Sequence, residues 1–161
     1  MGALGFEKHN HAACADGTIA MAEAYCSANR LQFTPTRRRV LEFLLEEHKA
    51  LGAYNILQRL AREGRAAQPS VAYRALDFLQ RHGFVHKVER LNAYIACVHP
   101  LEMHAPAFMI CRECHCVAEA AAWPVKTALG EAARAAGFRI EQTVVEAEGL
   151  CPNCIGIGFP A

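Results

Sequence analysis

Residues 70–97 read SVAYRALDFLQRHGFVHKVERLNAYIAC. Val71, Ala75, Phe78 and Leu79 recur at the spacing of one helix face, and Gly83 supplies the left-handed residue that ends a helix. FVHKVE and AYIAC then alternate apolar and polar side chains on either side of the turn RLN, the pattern of two short paired strands. A helix followed by a two-stranded wing is the last part of a winged helix-turn-helix, in which that helix enters the DNA major groove.

Upstream, the sequence supplies the helices such a unit needs. Thr34-Pro35-Thr36-Arg37-Arg38-Arg39 is a helix start, with Thr34 as cap and Pro35 in the first turn. Val40, Leu41, Leu44 and Leu45 follow at helical spacing until Gly52 breaks the run. A third helix fits 53–63, a loop fits 64–69, and an amphipathic run spans 18–30. Residues 1–17 are expected as a flexible tail. Downstream, His99-Pro100 through Pro106 reads as a linker. Strands fit 107–111, 117–120 and 138–147, and a helix fits 124–136, with Pro124 in its first turn and Gly137 past its end. The expected organisation is a winged-helix domain over 1–98, a hinge over 99–106 and a small α/β dimerisation domain over 107–161, an α+β chain. The strand FRIEQTVVEA (138–147) is long enough to pair with a second copy, so a symmetric homodimer is expected.

Composition agrees with this division. The chain has 161 residues, 53% hydrophobic and 20% charged, enough to bury a core and too apolar for a disordered segment. No apolar run approaches the roughly 18 residues of a membrane span. The first residues lack the basic start and apolar stretch of an export signal. The expectation is a soluble cytoplasmic protein. The net charge of +1 hides an asymmetry: residues 30–90 hold twelve Lys/Arg against six Asp/Glu, whereas 91–161 hold four against seven. The basic middle supplies phosphate affinity through Arg37, Arg38, Arg39, Arg59, Arg62 and Arg65.

Six of the eight cysteines lie after position 90. Cys111-x2-Cys114 and Cys151-x2-Cys154 each turn two sulfurs toward one ion, and two such knuckles make a tetrahedral four-thiolate zinc site. A reducing cytosol disfavours the alternative of two disulfides. A closed four-thiolate sphere contributes to folding and is poor at sensing. His86 in the wing, Cys97 at its end, His104 in the linker and Glu119 after the first knuckle straddle the boundary between the two halves. A metal held there would tie the basic half to the thiol half.

The ordered set Tyr73-Arg74-Ala75-Leu76, Gly83-Phe84-Val85-His86, the two Cys-x2-Cys knuckles and the ending Glu146-Ala-Glu-Gly-Leu-Cys-x2-Cys154 resembles the ferric uptake regulator superfamily, and its zinc uptake branch in particular. The likeness covers roughly residues 20–154. It implies a structural zinc on Cys111, Cys114, Cys151 and Cys154, and a regulatory zinc on His86, Cys97, His104 and Glu119, two Zn²⁺ per chain. One thiolate, two imidazoles and one carboxylate form a borderline-soft set suited to zinc. An iron or manganese sensor of the superfamily is the alternative, and Cys97 argues against it. His99 is a rival ligand, and Cys116 could intrude on either site.

The resemblance further implies a homodimeric repressor that binds a pseudo-palindromic double-stranded operator of zinc-uptake genes when the regulatory zinc is bound. Arg74 and Tyr54 would contact bases, with Tyr73 and Arg37 beside them on the DNA-binding surface. Arg at the start of a recognition helix can bond guanine in bidentate fashion. Val71-Ala72 stands where the family often has Thr-Val, so a phosphate-bonding hydroxyl is missing. A zinc hydrolase needs an open coordination position and a general base, and no His-Glu-x-x-His or deaminase pattern occurs, so no catalytic residue is expected. A module with only the structural zinc remains distinguishable by its single metal.

Overall fold

The computed structural model describes residues 5–6, 11–65, 68–102 and 104–156. These fall into two compact units: one takes residues 11–102, and the other takes 104–156 together with Gly5 and Phe6.

The first unit holds four helices and a wing. Helices α1 (His11–Ala28), α2 (Pro35–Leu45), α3 (Ala53–Arg62) and α4 (Pro69–Arg81) lead into strands β1 (Val85–Val88) and β2 (Ala93–Ala96), with a 3₁₀ turn at Glu89–Leu91 between them. Thr34 caps α2 as expected, its Oγ1 accepting the Arg37 N–H at 3.3 Å with Pro35 next in line. Such a cap contributes about 1 kcal/mol. At the end of α4, Gly83 takes φ +80, and Phe84 N–H returns to the Leu79 carbonyl at 2.9 Å. This closing turn drops Phe84 into the core and starts β1.

In the wing β1 and β2 pair antiparallel, Val85 opposite Ala96 and Val88 opposite Ala93, and Asn92 makes the left-handed turn at φ 46. Leu51 adds a third rung by exchanging both backbone hydrogen bonds with Tyr94, at 2.8 and 2.9 Å. The core beneath is formed by Val40, Leu41 and Leu44 of α2, Ile56 and Leu60 of α3, Leu76 and Leu79 of α4, and Phe84. Of the positions the helical periodicity picks out, Val40, Leu41, Leu44, Ala75, Phe78 and Leu79 are buried in this core, whereas Leu45 and Val71 are only half-buried.

Two sequence expectations change here. Helix α1 begins at His11, so residues 11–17, read as part of a flexible tail, are helical. The alanine-rich start HAACA favours helix, and Gly17 sits in open space where it disturbs no packing. Residues 1–4 and 7–10 of that expected tail lie outside the described residues.

The second unit is a three-stranded sheet and one helix. Strands β3 (Pro106–Cys111), β4 (Val117–Ala121) and β5 (Glu146–Gly149) lie in the order β4-β3-β5, and α5 spans Trp123–Ala135. β3 runs antiparallel to β4, with Phe108 opposite Glu119, and parallel to β5, with Cys111 opposite Gly149. Gly137 closes α5 at φ +66, with Phe138 N–H on the Ala133 carbonyl at 2.8 Å. The strand expected over 138–147 is the second correction: only its last residues enter β5, and 138–145 are not in a strand. Alternation makes a segment competent to pair, but a strand exists only against a partner. Phe138 and Val144 are exposed along this stretch. No helix among the described residues is long and apolar enough to cross a membrane.

Candidate metal centres and nucleic-acid interface

The parallel pairing of β3 with β5 assembles the first centre. Cys111 ends β3, and Cys114 follows in the turn. Cys151 and Cys154 lie in the turn after β5, and Arg112 N–H bonds the Gly149 carbonyl at 2.9 Å, locking the two turns side by side. The four sulfurs lie within 4.8 Å of one another, and all four cysteines are free thiols. Cys114 Sγ and Cys151 Sγ are 3.6 Å apart. Two sulfurs on a tetrahedral zinc, each at about 2.3 Å, stand roughly 3.8 Å from each other, so the spacing fits that ion.

Electrostatics point the same way. Backbone N–H groups of Cys114, then Cys151 and Glu113, turn toward Cys111 and bring its thiol down to about 6 against the opposing burial. Cys151 N–H reaches Cys111 Sγ at 3.4 Å. Cys154 is pushed up to about 12, first by its hydrogen bond with Cys151 and then by burial, with Cys114 and Cys111 adding to it. One thiolate forms readily, and further ionisation beside it is opposed. A divalent cation removes that opposition, which is the situation of a metal cage.

The other four candidate ligands are distributed evenly between the units. In the first, His86 lies on β1, and Cys97 follows β2 with its N–H on the Phe84 carbonyl at 2.9 Å. The wing's register thereby sets the Cys97 thiol beside the His86 ring, within 4.8 Å. Cys97 is buried. In the second unit, His104 Nε2 and Glu119 Oε1 are 2.6 Å apart. Glu119 is buried in β4, only 5% exposed, and a carboxylate so enclosed needs a cationic or hydrogen-bonding partner. Among the described residues His99 and Cys116 join neither ligand cluster. The Cys116 carbonyl instead accepts the Cys111 N–H at 2.9 Å.

The face expected to meet DNA is more selective than its charge suggests. On α4, Tyr73 and Arg74 are exposed while Ala72, Ala75 and Leu76 point inward, and Tyr54 stands exposed at the start of α3. Arg37 lays its guanidinium 3.7 Å from the centre of the Phe78 ring on α4 and also donates to the Gln32 carbonyl. Three other arginines are occupied within the unit. Arg38 pairs with Glu23, and with Glu42 at 3.0 Å. Arg39 bonds Glu63 at 2.5 Å and Glu42 at 2.9 Å while stacking over Phe43. Arg59 bonds Glu46 at 2.6 Å. Arg38, Arg39 and Arg59, expected to supply phosphate affinity, are thus each paired with acids in the single chain, Glu42 within α2 and Glu23, Glu46 and Glu63 farther along the sequence. Arg62 and Arg74 are exposed.

A winged helix-turn-helix joined to a sheet unit with clustered metal donors defines a metal-responsive DNA-binding protein. The profile of the Ferric uptake regulator family matches residues 28–148, and the chain belongs to that family. It is 37% identical over 140 residues to the zinc uptake regulation protein of Escherichia coli K12, covering 86% of this chain and 82% of that one, and equally to its Shigella flexneri counterpart. A solved zinc uptake regulator complexed with zinc and DNA superposes with TM-score 0.82 at 36% identity, over 89% of this chain and 96% of that one. The holo XcZur crystal structure matches at TM-score 0.75 and 39% identity, over 86% and 96% of the two chains.

Proposed function

We propose that the protein is a zinc-responsive transcriptional repressor, acting as a homodimer in the cytoplasm on pseudo-palindromic operators of zinc-uptake genes. The observation that carries this reading is the Cys97 thiol set beside the His86 ring at the end of the wing. A sulfur donor among imidazole and carboxylate donors selects a borderline-soft ion over iron or manganese. The names of the similar proteins support the same ion and the same DNA partner.

Each chain holds two zinc ions in this reading. Cys111, Cys114, Cys151 and Cys154 take the structural one, which sets the β3 and β5 turns. His86, Cys97, His104 and Glu119 take the regulatory one. When bound there, zinc supplies a divalent charge that draws donors from both units to a single point. His86 and Cys97 bring the wing to it, while His104 and Glu119 bring the sheet unit. Their common ligation favours one arrangement of the DNA-reading heads over others, and that is a population shift. Arg74 and Tyr54 then address base edges. Tyr73 lies beside them, and Arg37, oriented by Phe78, addresses phosphate. The second copy pairs through the sheet unit, along residues 138–145, which lie in no strand of the single chain. The role is regulatory, with no catalytic residues.

A mobility-shift assay on the full chain and its own upstream DNA tests this, with chelator and then with Zn²⁺, Fe²⁺ or Mn²⁺ restored. Zinc restores the complex and the other ions do not. Cys97→Ser abolishes the zinc dependence, and Arg74→Ala costs about 1–3 kcal/mol on operator DNA while sparing random DNA. Full zinc-dependent binding by Cys97→Ser would overturn the assignment, as would equal rescue by iron.

A further inference from the structure

Gly5 and Phe6 belong to the sheet unit, ahead of α1 in sequence. Gly5 is buried at φ +137 against β4: a Cβ at this position would stand 2.7 Å from both the Ala118 Cα and the Val117 carbonyl oxygen. Only glycine tolerates both that backbone conformation and that approach. Val117 and Ala118 are themselves fully buried. The contact delivers Phe6 onto the cluster of Cys111, Cys151 and Cys154, where it packs with Cys114 and Leu150. An aromatic ring over a set of thiolates excludes water and blocks the approach that a chelator or a thiol reagent needs.

We propose that Gly5-Phe6 is a latch that closes the four-cysteine site, Gly5 fitting the β4 backbone and Phe6 covering the sulfurs. The proposal rests on that set holding zinc. The latch slows loss of the ion and attack on the thiols, so this site keeps its metal while a sensing site exchanges. Sensor and scaffold are thereby separated in rate as well as in affinity.

The test uses the full-length zinc-loaded protein and N-ethylmaleimide, with labelling of each cysteine followed by peptide mass spectrometry and zinc release followed with a coloured chelator. Phe6→Ala and Gly5→Val raise labelling at Cys111, Cys114, Cys151 and Cys154 by roughly 10-fold, the low end of what losing an outer-shell contact costs. Phe6→Leu, which restores apolar cover, stays near the parent rate. Cys26, buried in the helical unit, labels unchanged in every variant. Parent rates in Phe6→Ala and Gly5→Val overturn the latch, and so does a parallel rise at Cys26, which would report loss of fold. If the four cysteines of the parent label equally fast before and after chelation, the zinc reading fails, and the latch with it.

Discussion

Arg39 shows how a single residue can change meaning between sequence and structure. In the run Arg37-Arg38-Arg39 it reads as a phosphate contact. In the fold its guanidinium bridges α2 to Glu63, just past α3, and is held well above its ordinary range, chiefly by the hydrogen bond to Glu63. Reciprocally, the Arg39 hydrogen bond is the main cause that holds the Glu63 carboxyl below its ordinary 4.5. A carboxyl lowered on folding adds stability above its unfolded value and loses it as pH falls through the folded one. Thermal melts from pH 6 down to pH 3 therefore show an acid-side loss that Glu63→Gln reduces, and the variant is less stable than the parent near pH 6. Equal pH slopes in parent and variant would refute the brace. The pair is solvent-exposed, so the effect is modest and shrinks with salt. The cysteine knuckles were legible because a two-residue spacing is local chemistry. The Arg39–Glu63 pair was not, because nothing local relates residues 24 apart.

At the scale of elements, the parts that carry their own instructions are the ones the sequence reveals. Thr34-Pro35 starts α2, Gly83 ends α4, and the alternation of FVHKVE and AYIAC makes the wing, each by contacts a few residues apart. His86 and Cys97 inherit their proximity from the wing's register. Strands β3 and β4 were readable in the same way. The stretch 138–145 was not, because alternation states which faces a strand would have but not what it would pair with. Its apolar residues Phe138 and Val144 stay exposed in the single chain. If the second copy pairs along this segment, as proposed above, Val144→Asp shifts sedimentation toward the monomer and weakens operator binding with it. Unchanged self-association would place the interface elsewhere.

The whole molecule divides its stability between two unlike sources. Residues 11–102 have a hydrophobic core of helices closed by Phe84. The sheet unit has three short strands among the described residues, and beside a few buried apolar side chains such as Phe108, Ile110 and Val117 it holds the thiol cluster. Small units of this kind lean on a metal to fold. Exhaustive chelation under reducing conditions therefore removes amide-exchange protection from β3 and β5 while α2, α3 and α4 keep theirs. Equal loss in both units would mean that the two cores unfold as one.

The parallel pairing of β3 with β5 also has a consequence in time. Cys111 and Cys151 are 40 residues apart. Closing a loop of that length costs about 3 kcal/mol in chain entropy beyond a constant, before any bond to sulfur repays it. During synthesis the helical unit has all its partners once residue 102 has emerged, whereas the first cysteine knuckle waits for Cys154. At ~5–20 residues per second that interval lasts several seconds, in which Cys111 and Cys114 are nascent thiols without their second pair. Ion capture by this fold is thus one of the last events of its biogenesis, and the reducing power of the surrounding compartment decides whether those sulfurs are still free when their partners arrive.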